Sequence, residues 1–393
     1  MKRPKNIRKL GERINWRHWL IAAASSLILV VISYYHNNSP LFTGENLTCF
    51  AAAEWLRNAI HSDKNAYDSV LFINTAYDRQ LTTHREDGIA VGNIDITDRE
   101  KLCQLLLLLK NTNYRYIFLD IRFEQGCESD NPAVDSALFA TIRNMDSIVV
   151  VKHQDIPNMA GVPADKMAYN DYYSTITSTN FVRYLYRKTD GITMPLYAFE
   201  ELTGNTIEWK GLVYKSEGHI CYNSLFLTFP PEKQGGDYTN QMGKDILLSD
   251  APEENIKQMA DGKYVIIGDL VHDLHDTYSG LHSGSKMIAA ATLALFEHKH
   301  WVNPWLTAFL FILYFLMTLG IFATKRWYEY IPSLRNIRVP LLYFALSFLG
   351  YTAVLWCTSF MLGLCLRWYV TFWIPSLWFG VFSSYITYKR NAA

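Results

Sequence analysis

Between residues 266 and 286 the chain reads IIGDLVHDLHDTYSGLHSGSK, a stretch holding Asp269, Asp273 and Asp276 together with His272, His275 and His282. Carboxylates and imidazoles at this density can hold a cation, share a proton or orient a polar ligand. The stretch opens with KYVIIGD (263–269), a β-type run, so its acids leave the carboxyl end of a strand, where open α/β sheets bind ligands. A second such end is YIFLDIRF (116–123), which delivers Asp120 and Arg122. If both ends share one edge of the sheet, Asp120, Arg122, Asp269, Asp273, His275, Asp276 and Thr277 form a ligand-binding site for a small polar molecule or a cation. The competing reading is a loop whose Asp and Thr side chains cap backbone groups and the next helix. His272 and His282 are expected to be solvated.

The elements that must position these residues alternate. Strands are expected at SVLFINT (69–75), YIFLDIRF, SIVVVKH (147–153), FVRYLYRK (181–188), SLFLTF (224–229) and KYVIIGD. Helices are expected at 45–60, 98–111, 131–145, 194–204, 251–262 and 285–300. Asp98 and Glu100 favour the start of the second, and Pro132 suits the first turn of the third. Such alternation predicts an α/β domain, a mostly parallel sheet with helices on both faces, over residues 36–302.

The ends of the chain are of another kind. Four uncharged apolar runs, 19–35, 304–323, 340–362 and 368–388, are long enough to predict transmembrane helices. Trp16, Trp19, Trp301, Trp305, Trp327, Trp368, Tyr385 and Tyr388 fall at their ends, as aromatic belts do. The net charge of zero hides a division. Residues 1–18 carry seven Lys/Arg against Glu12 alone, and the 324–338 loop four against Glu329, whereas 19–302 carry 23 basic and 35 acidic residues. By the positive-inside rule the basic tail 1–18, the 324–338 loop and the C-terminal KR are cytoplasmic and the acidic domain lies outside. The acidic domain is a poor surface for nucleic acid. Of six cysteines, Cys49, Cys103, Cys127 and Cys221 belong to the outer region, and the three pairings open to them cannot be ranked by spacing; Cys103, among leucines, reads as a buried thiol.

NIDITDREKL, YIFLDIRFE and KYVIIGDLVHDLHDTYSGLHSG, followed by a helix and three closing apolar runs, together resemble the type-2 CHASE domain, a bacterial sensory extracellular module associated with cyclases and histidine kinases. The specific parts are Asp120, Asp269, Asp273, His275, Asp276 and Thr277. The resemblance covers the chain end to end and implies a sensor of an unidentified stimulus. In many relatives a signalling domain follows the last span, whereas here only KRNAA does.

Catalytic signatures are weak. SGSK (283–286) and SDN (129–131) stand in the wrong order for a penicillin-binding enzyme and no K-T-G follows; there is no G-x-S-x-G, P-loop or G-x-G-x-x-G after a strand. The four apolar runs contain no Asp, Glu, Lys or Arg, which argues against a transport path. The expectation is therefore a non-enzymatic, multi-pass protein of a bacterial inner membrane with both termini cytoplasmic and its main domain periplasmic. It needs no cofactor; it would bind an unidentified small ligand and relay that event through its helices to a separate signalling protein. The lipid bilayer is its other partner, and the small-residue face AAASS (22–26) is compatible with a homo-oligomer. The rival is a membrane-anchored extracytoplasmic hydrolase using the Asp/His loop at 269–276.

Overall fold

The computed structural model describes residues 14–38, 47–60, 67–153, 157–170, 172–175, 178–229, 240–277, 280–323, 340–366 and 368–392. They fall into two units, one α/β and one helical.

The α/β unit is built on a six-stranded sheet. Its strands are β1 (Val70–Asn74), β2 (Tyr116–Asp120), β3 (Ile148–Lys152), β4 (Met167–Tyr169), β5 (Asn240–Gln241) and β6 (Tyr264–Gly268). They lie in the order β5-β1-β6-β2-β3-β4, every pair parallel. The registers Val70↔Tyr264 and Tyr264↔Tyr116 bring Asn74, Gly268 and Asp120 level at one end.

Both faces are covered, which is why these strands are apolar throughout rather than alternating. On one face α1 (Arg99–Lys110), α2 (Pro132–Arg143) and α4 (Pro252–Ala260) pack Leu105, Leu138 and Ile256 over Ile73, Ile117 and Val265. On the other, α3 (Met194–Thr203) and α5 (Gly284–Phe296) pack Ala198 and Ile288 over Phe72, Phe118 and Ile266. The helix ends follow local chemistry. Asp98 caps α1 by accepting from the Lys101 amide at 3.0 Å, Asn131 caps α2 ahead of Pro132, and α3 stops at Gly204 in the left-handed conformation.

Two hairpins are among the elements outside the expected set, with the short strands β4 and β5. Arg79–Glu86 and Ile89–Thr97 form an antiparallel hairpin closed by Asp87 and Gly88, whose positive φ angles of 49° and 81° suit a tight primed turn. Leu274–Thr277 and Gly280–Ser283 form a short second hairpin leading into α5.

In the helical unit, Trp16–Asn38, Pro304–Ala323 and Leu341–Leu366 are long and apolar enough to cross a membrane. The expected fourth span, 368–388, is not among them. Its helix runs Trp373–Ala392, because residues 369–372 stay irregular with the Val370 amide held by Ser359 Oγ at 3.0 Å. About sixteen uncharged residues then precede Lys389, short of the ~20 that cross a hydrocarbon core. This helix nevertheless joins the core of the unit, with Phe379 among Leu29, Tyr314, Ile321 and Leu355. The Leu47–Ile60 helix also groups here, through Arg57 donating to the Gly363 carbonyl at 3.0 Å and Tyr369 to Glu54 at 3.2 Å. The basic 324–338 loop and the 1–13 tail lie outside the described residues.

Candidate functional site

The topology dictates where a cleft opens. The chain leaves β6 toward α5 on one face, while its neighbours β1 and β2 lead to α1 and α2 on the other. Loops that part in opposite directions leave a crevice at the carboxyl ends of the strands. There a cleft of about 540 Å³ has Thr75, Asp120, Ile121, Asp269 and Asp273 in its lining. That is the size range of small-molecule sites, ~300–1,000 Å³. The Arg79–Glu86/Ile89–Thr97 hairpin supplies Arg79, Ile94, Asp95 and Ile96 to it.

Five of the seven expected residues meet in this cleft: Asp120, Arg122, Asp269, Asp273 and His275. Asp276 and Thr277 do not. They follow His275 along the short hairpin, where Asp276 is exposed and the buried Thr277 donates its hydroxyl to the Gly280 carbonyl at 2.7 Å. His272 is solvent-facing, as expected from the sequence, and its ring lies 3.1 Å from Asp269. His282 is not: it is buried and stacked on Phe229 with ring centroids 4.2 Å apart.

The two acid clusters differ in character. Asp269 is a structural hub. One carboxylate oxygen accepts from the Val271 and His272 amides at 2.9 and 2.8 Å, and the other pairs with Arg79. Burial works to raise its pKa, but the His272 and Val271 amides, the His272 ring and Arg79 together outweigh it and hold the group below the usual carboxylate range. Here the capping role anticipated for the loop acids is realised.

Asp120 is the opposite case. It accepts from Ser285 Oγ and from Asn170 Nδ2, both at 3.0 Å. Burial first, and then the charge of Asp273, push its carboxyl up to about 6, against the pull of those two hydrogen bonds and of His275. A Cβ added at Gly284, the first residue of α5, would lie 2.5 Å from Asp273 Oδ2, 3.4 Å from Asp120 Oδ2 and 3.5 Å from His275 Nε2. The three polar groups therefore crowd the amino end of α5, and only glycine leaves room for them. The positive end of the helix dipole favours carboxylates there. His275 Nε2 is 3.3 Å from Asp273 Oδ1.

Sequence reasoning did not anticipate Thr75, Arg79, Asn170 or Ser285. The Asp87–Gly88 pair was the available signal for the hairpin that delivers Arg79, since such a dipeptide between alternating residues marks a tight β-turn. Thr75 follows directly on the β-type run VLFIN and could have been placed by the same strand-end logic as Asp120. Among the described residues no group of three His, Cys, Asp or Glu side chains is arranged to hold a metal ion, and none of the six cysteines forms a disulfide. No family model, curated protein or solved structure was found to match this chain.

Proposed function

We propose that this chain is a membrane-bound sensory protein of the type-2 CHASE kind, whose outer α/β domain takes up a small ligand at the carboxyl edge of its sheet. The supporting observation is the cleft itself, where Asp120, Asp273 and His275 gather against the first turn of α5. Only seven residues separate the end of α5 from the apolar helix Pro304–Ala323, so a change at the first turn of α5 has a short covalent route to a candidate span. A ligand favouring one arrangement of this turn would shift that equilibrium by its differential affinity for the two states. The receiving protein docks on the helical unit or on the basic 324–338 loop.

In this reading all four apolar helices cross a bacterial inner membrane, with the termini and the 324–338 loop cytoplasmic. The Trp373–Ala392 helix, short on its own, spans with the apolar 368–372 segment before it. Reporter fusions at 330 and after Ala393 should read cytoplasmic and one at 160 periplasmic; a periplasmic C-terminus would defeat this topology. Alanine at Asp273 and His275 should change partner output in cells while membrane insertion stays normal. Unchanged output would remove the cleft from the signalling route.

A second reading, a hydrolase, is favoured by one observation: a carboxyl raised to about 6 beside a carboxylate and an imidazole suits general acid–base work. Turnover of ester or phosphoester substrates by the purified full-length chain, lost on Asp120→Asn, would establish it in place of the sensor.

A further inference from the structure

The chain leaves the α/β unit a few residues before a helix that can cross a membrane, and a small sheet is fixed at that exit. α5 begins at the cleft and ends at Phe296, whose ring lies 5.4 Å from that of Tyr264, the first residue of β6. Its last turn therefore stands at the amino edge of the sheet, about 20 Å from the cleft for a helix of 13 residues. From Trp301 the chain reaches Pro304, where the apolar helix begins, in three steps, which extended backbone covers in at most about 11 Å. Whatever packs on Trp301 is thus held close to the start of that helix.

Glu208–Lys210, Val213–Ser216 and His219–Cys221 form the small sheet, a three-stranded antiparallel meander. Cys221 bridges to Trp301, the Tyr222 amide donates to the His300 carbonyl at 2.7 Å, and the His219 ring stacks on the Trp301 indole with centroids 4.0 Å apart. The register sets Trp209, Tyr214 and Cys221 side by side on one face and Glu208, Lys215 and Ile220 on the other. The first face turns inward, with Cys221 fully buried and Tyr214 packed against the same core. The second is open: Ile220 is exposed, and Leu212, in the turn beside Gly211, is 72 % exposed. Trp209 is half-exposed at the margin, and Lys210 and Lys215 are exposed among these apolar groups. Aliphatic and indole side chains interleaved with long cationic ones suit a surface that lies between lipid and water.

We propose that the outer face of this meander rests in the headgroup layer of the bilayer, with Leu212 and Ile220 inserted, Trp209 at the rim and Lys215 directed at lipid phosphate. The proposal rests on the reading that Pro304–Ala323 crosses a membrane. A few apolar side chains would hold a free protein only weakly on a lipid surface. Here insertion is intramolecular, because the span tethers the meander at short range and raises the effective concentration of lipid around it. The same tether favours lipid over a protein partner as the group that covers this face. Such a contact would hold the exit of α5 at the bilayer, so that a rearrangement of its first turn is passed to the span instead of being absorbed by loose chain.

The test is nitroxide accessibility in the full-length protein, reconstituted in nanodiscs of phosphatidylcholine and phosphatidylglycerol. The exposed free cysteines are removed as Cys357→Ala and Cys365→Ala, and one label at a time is attached through Leu212→Cys, Ile220→Cys, Trp305→Cys or Leu81→Cys. Trp305 is 83 % exposed in the first turn of the candidate span, and Leu81, 68 % exposed on the hairpin that lines the cleft, is the equally open control far from the exit. Each variant should keep the wild-type circular dichroism spectrum, and either meander position decides the matter if the other variant loses its fold. The ratio of collisions with oxygen, which concentrates in lipid, to collisions with an aqueous nickel chelate should be at least about threefold higher at 212 and 220 than at 81, as insertion into the headgroup layer implies. Labels at 212 and 220 that match 81 while 305 reads lipid overturn the proposal and leave the span reading intact. A label at 305 that matches 81 removes the span reading and the proposal with it. Low collision with both reagents at 212 and 220 means cover by protein, a second copy or a partner, and also overturns it.

Discussion

Asp120 and Gly284 show how much of this site is decided by single atoms. Asp120 has a folded-state pKa of about 6, above its ordinary value near 3.9, so the native state binds that proton more tightly than the unfolded chain. Its stabilising contribution is complete below about pH 4 and is lost as pH rises through about 6. Asp120→Asn cannot ionise and keeps groups able to bond Asn170 and Ser285. Its melting temperature should therefore exceed that of the wild type above about pH 6, with the gap closing toward pH 4. A gap independent of pH would show that Asp120 is not the titrating group. At Gly284, alanine would ordinarily favour the helix by about 1 kcal/mol. Contact with the Asp273 carboxylate at 2.5 Å reverses this, and Gly284→Ala should cost about 1 kcal/mol in denaturant unfolding. In an Asp273→Ala background the same change should be neutral or stabilising; an equal cost in both backgrounds would rule out this crowding.

Among the elements, the Arg79–Glu86/Ile89–Thr97 hairpin lends the cleft Arg79, Ile94, Asp95 and Ile96 while much of it is exposed. Leu81, Ile89 and Val91 are exposed, and its turn relies on Asp87 and Gly88 at positive φ. A β-branched residue in the left-handed region costs roughly 1–2 kcal/mol. Gly88→Val should thus speed amide exchange across residues 79–97 by about tenfold, with protection of β2 and β6 unchanged. Uniform loss of protection throughout the α/β unit would mean that the hairpin is part of the global folding core. Asp98 and Asn131, by contrast, were readable in advance: an acceptor side chain at the N-cap needs only local geometry, and both helices begin where those residues stand.

At the scale of the molecule, each unit has its own core. The α/β core is apolar packing of the kind urea dissolves, whereas Leu29, Tyr314, Leu355 and Phe379 belong to a bundle of apolar helices. In nanodiscs, urea should abolish the strand contribution to the far-ultraviolet spectrum in one transition while much of the helical signal survives, since lipid keeps satisfying the apolar helices. A single transition removing both signals would show that the units fold as one.

What could be read from the residue order is what short-range chemistry controls. Apolar runs bounded by polar residues marked β1, β2, β3 and β6, first-turn acids marked α1 and Pro132 marked α2, and the uncharged lengths at the ends marked the long helices. The convergence of Asp120 with the 269–275 loop was also anticipated, because both follow strand ends and a parallel sheet delivers all such ends to one edge. What remained undecided depends on strand order and register, which no local pattern carries. Insertion of β6 between β1 and β2 is what brings Asp273 to Asp120. The two-residue period of a hairpin strand separates Asp276 from His275, stacking on Phe229 goes with the burial of His282, and the irregular chain before Trp373 shortens the last helix. The strand order is set by pairings between residues more than a hundred positions apart, such as Val70 with Tyr264 and Tyr264 with Tyr116, and only the folded chain brings such residues together.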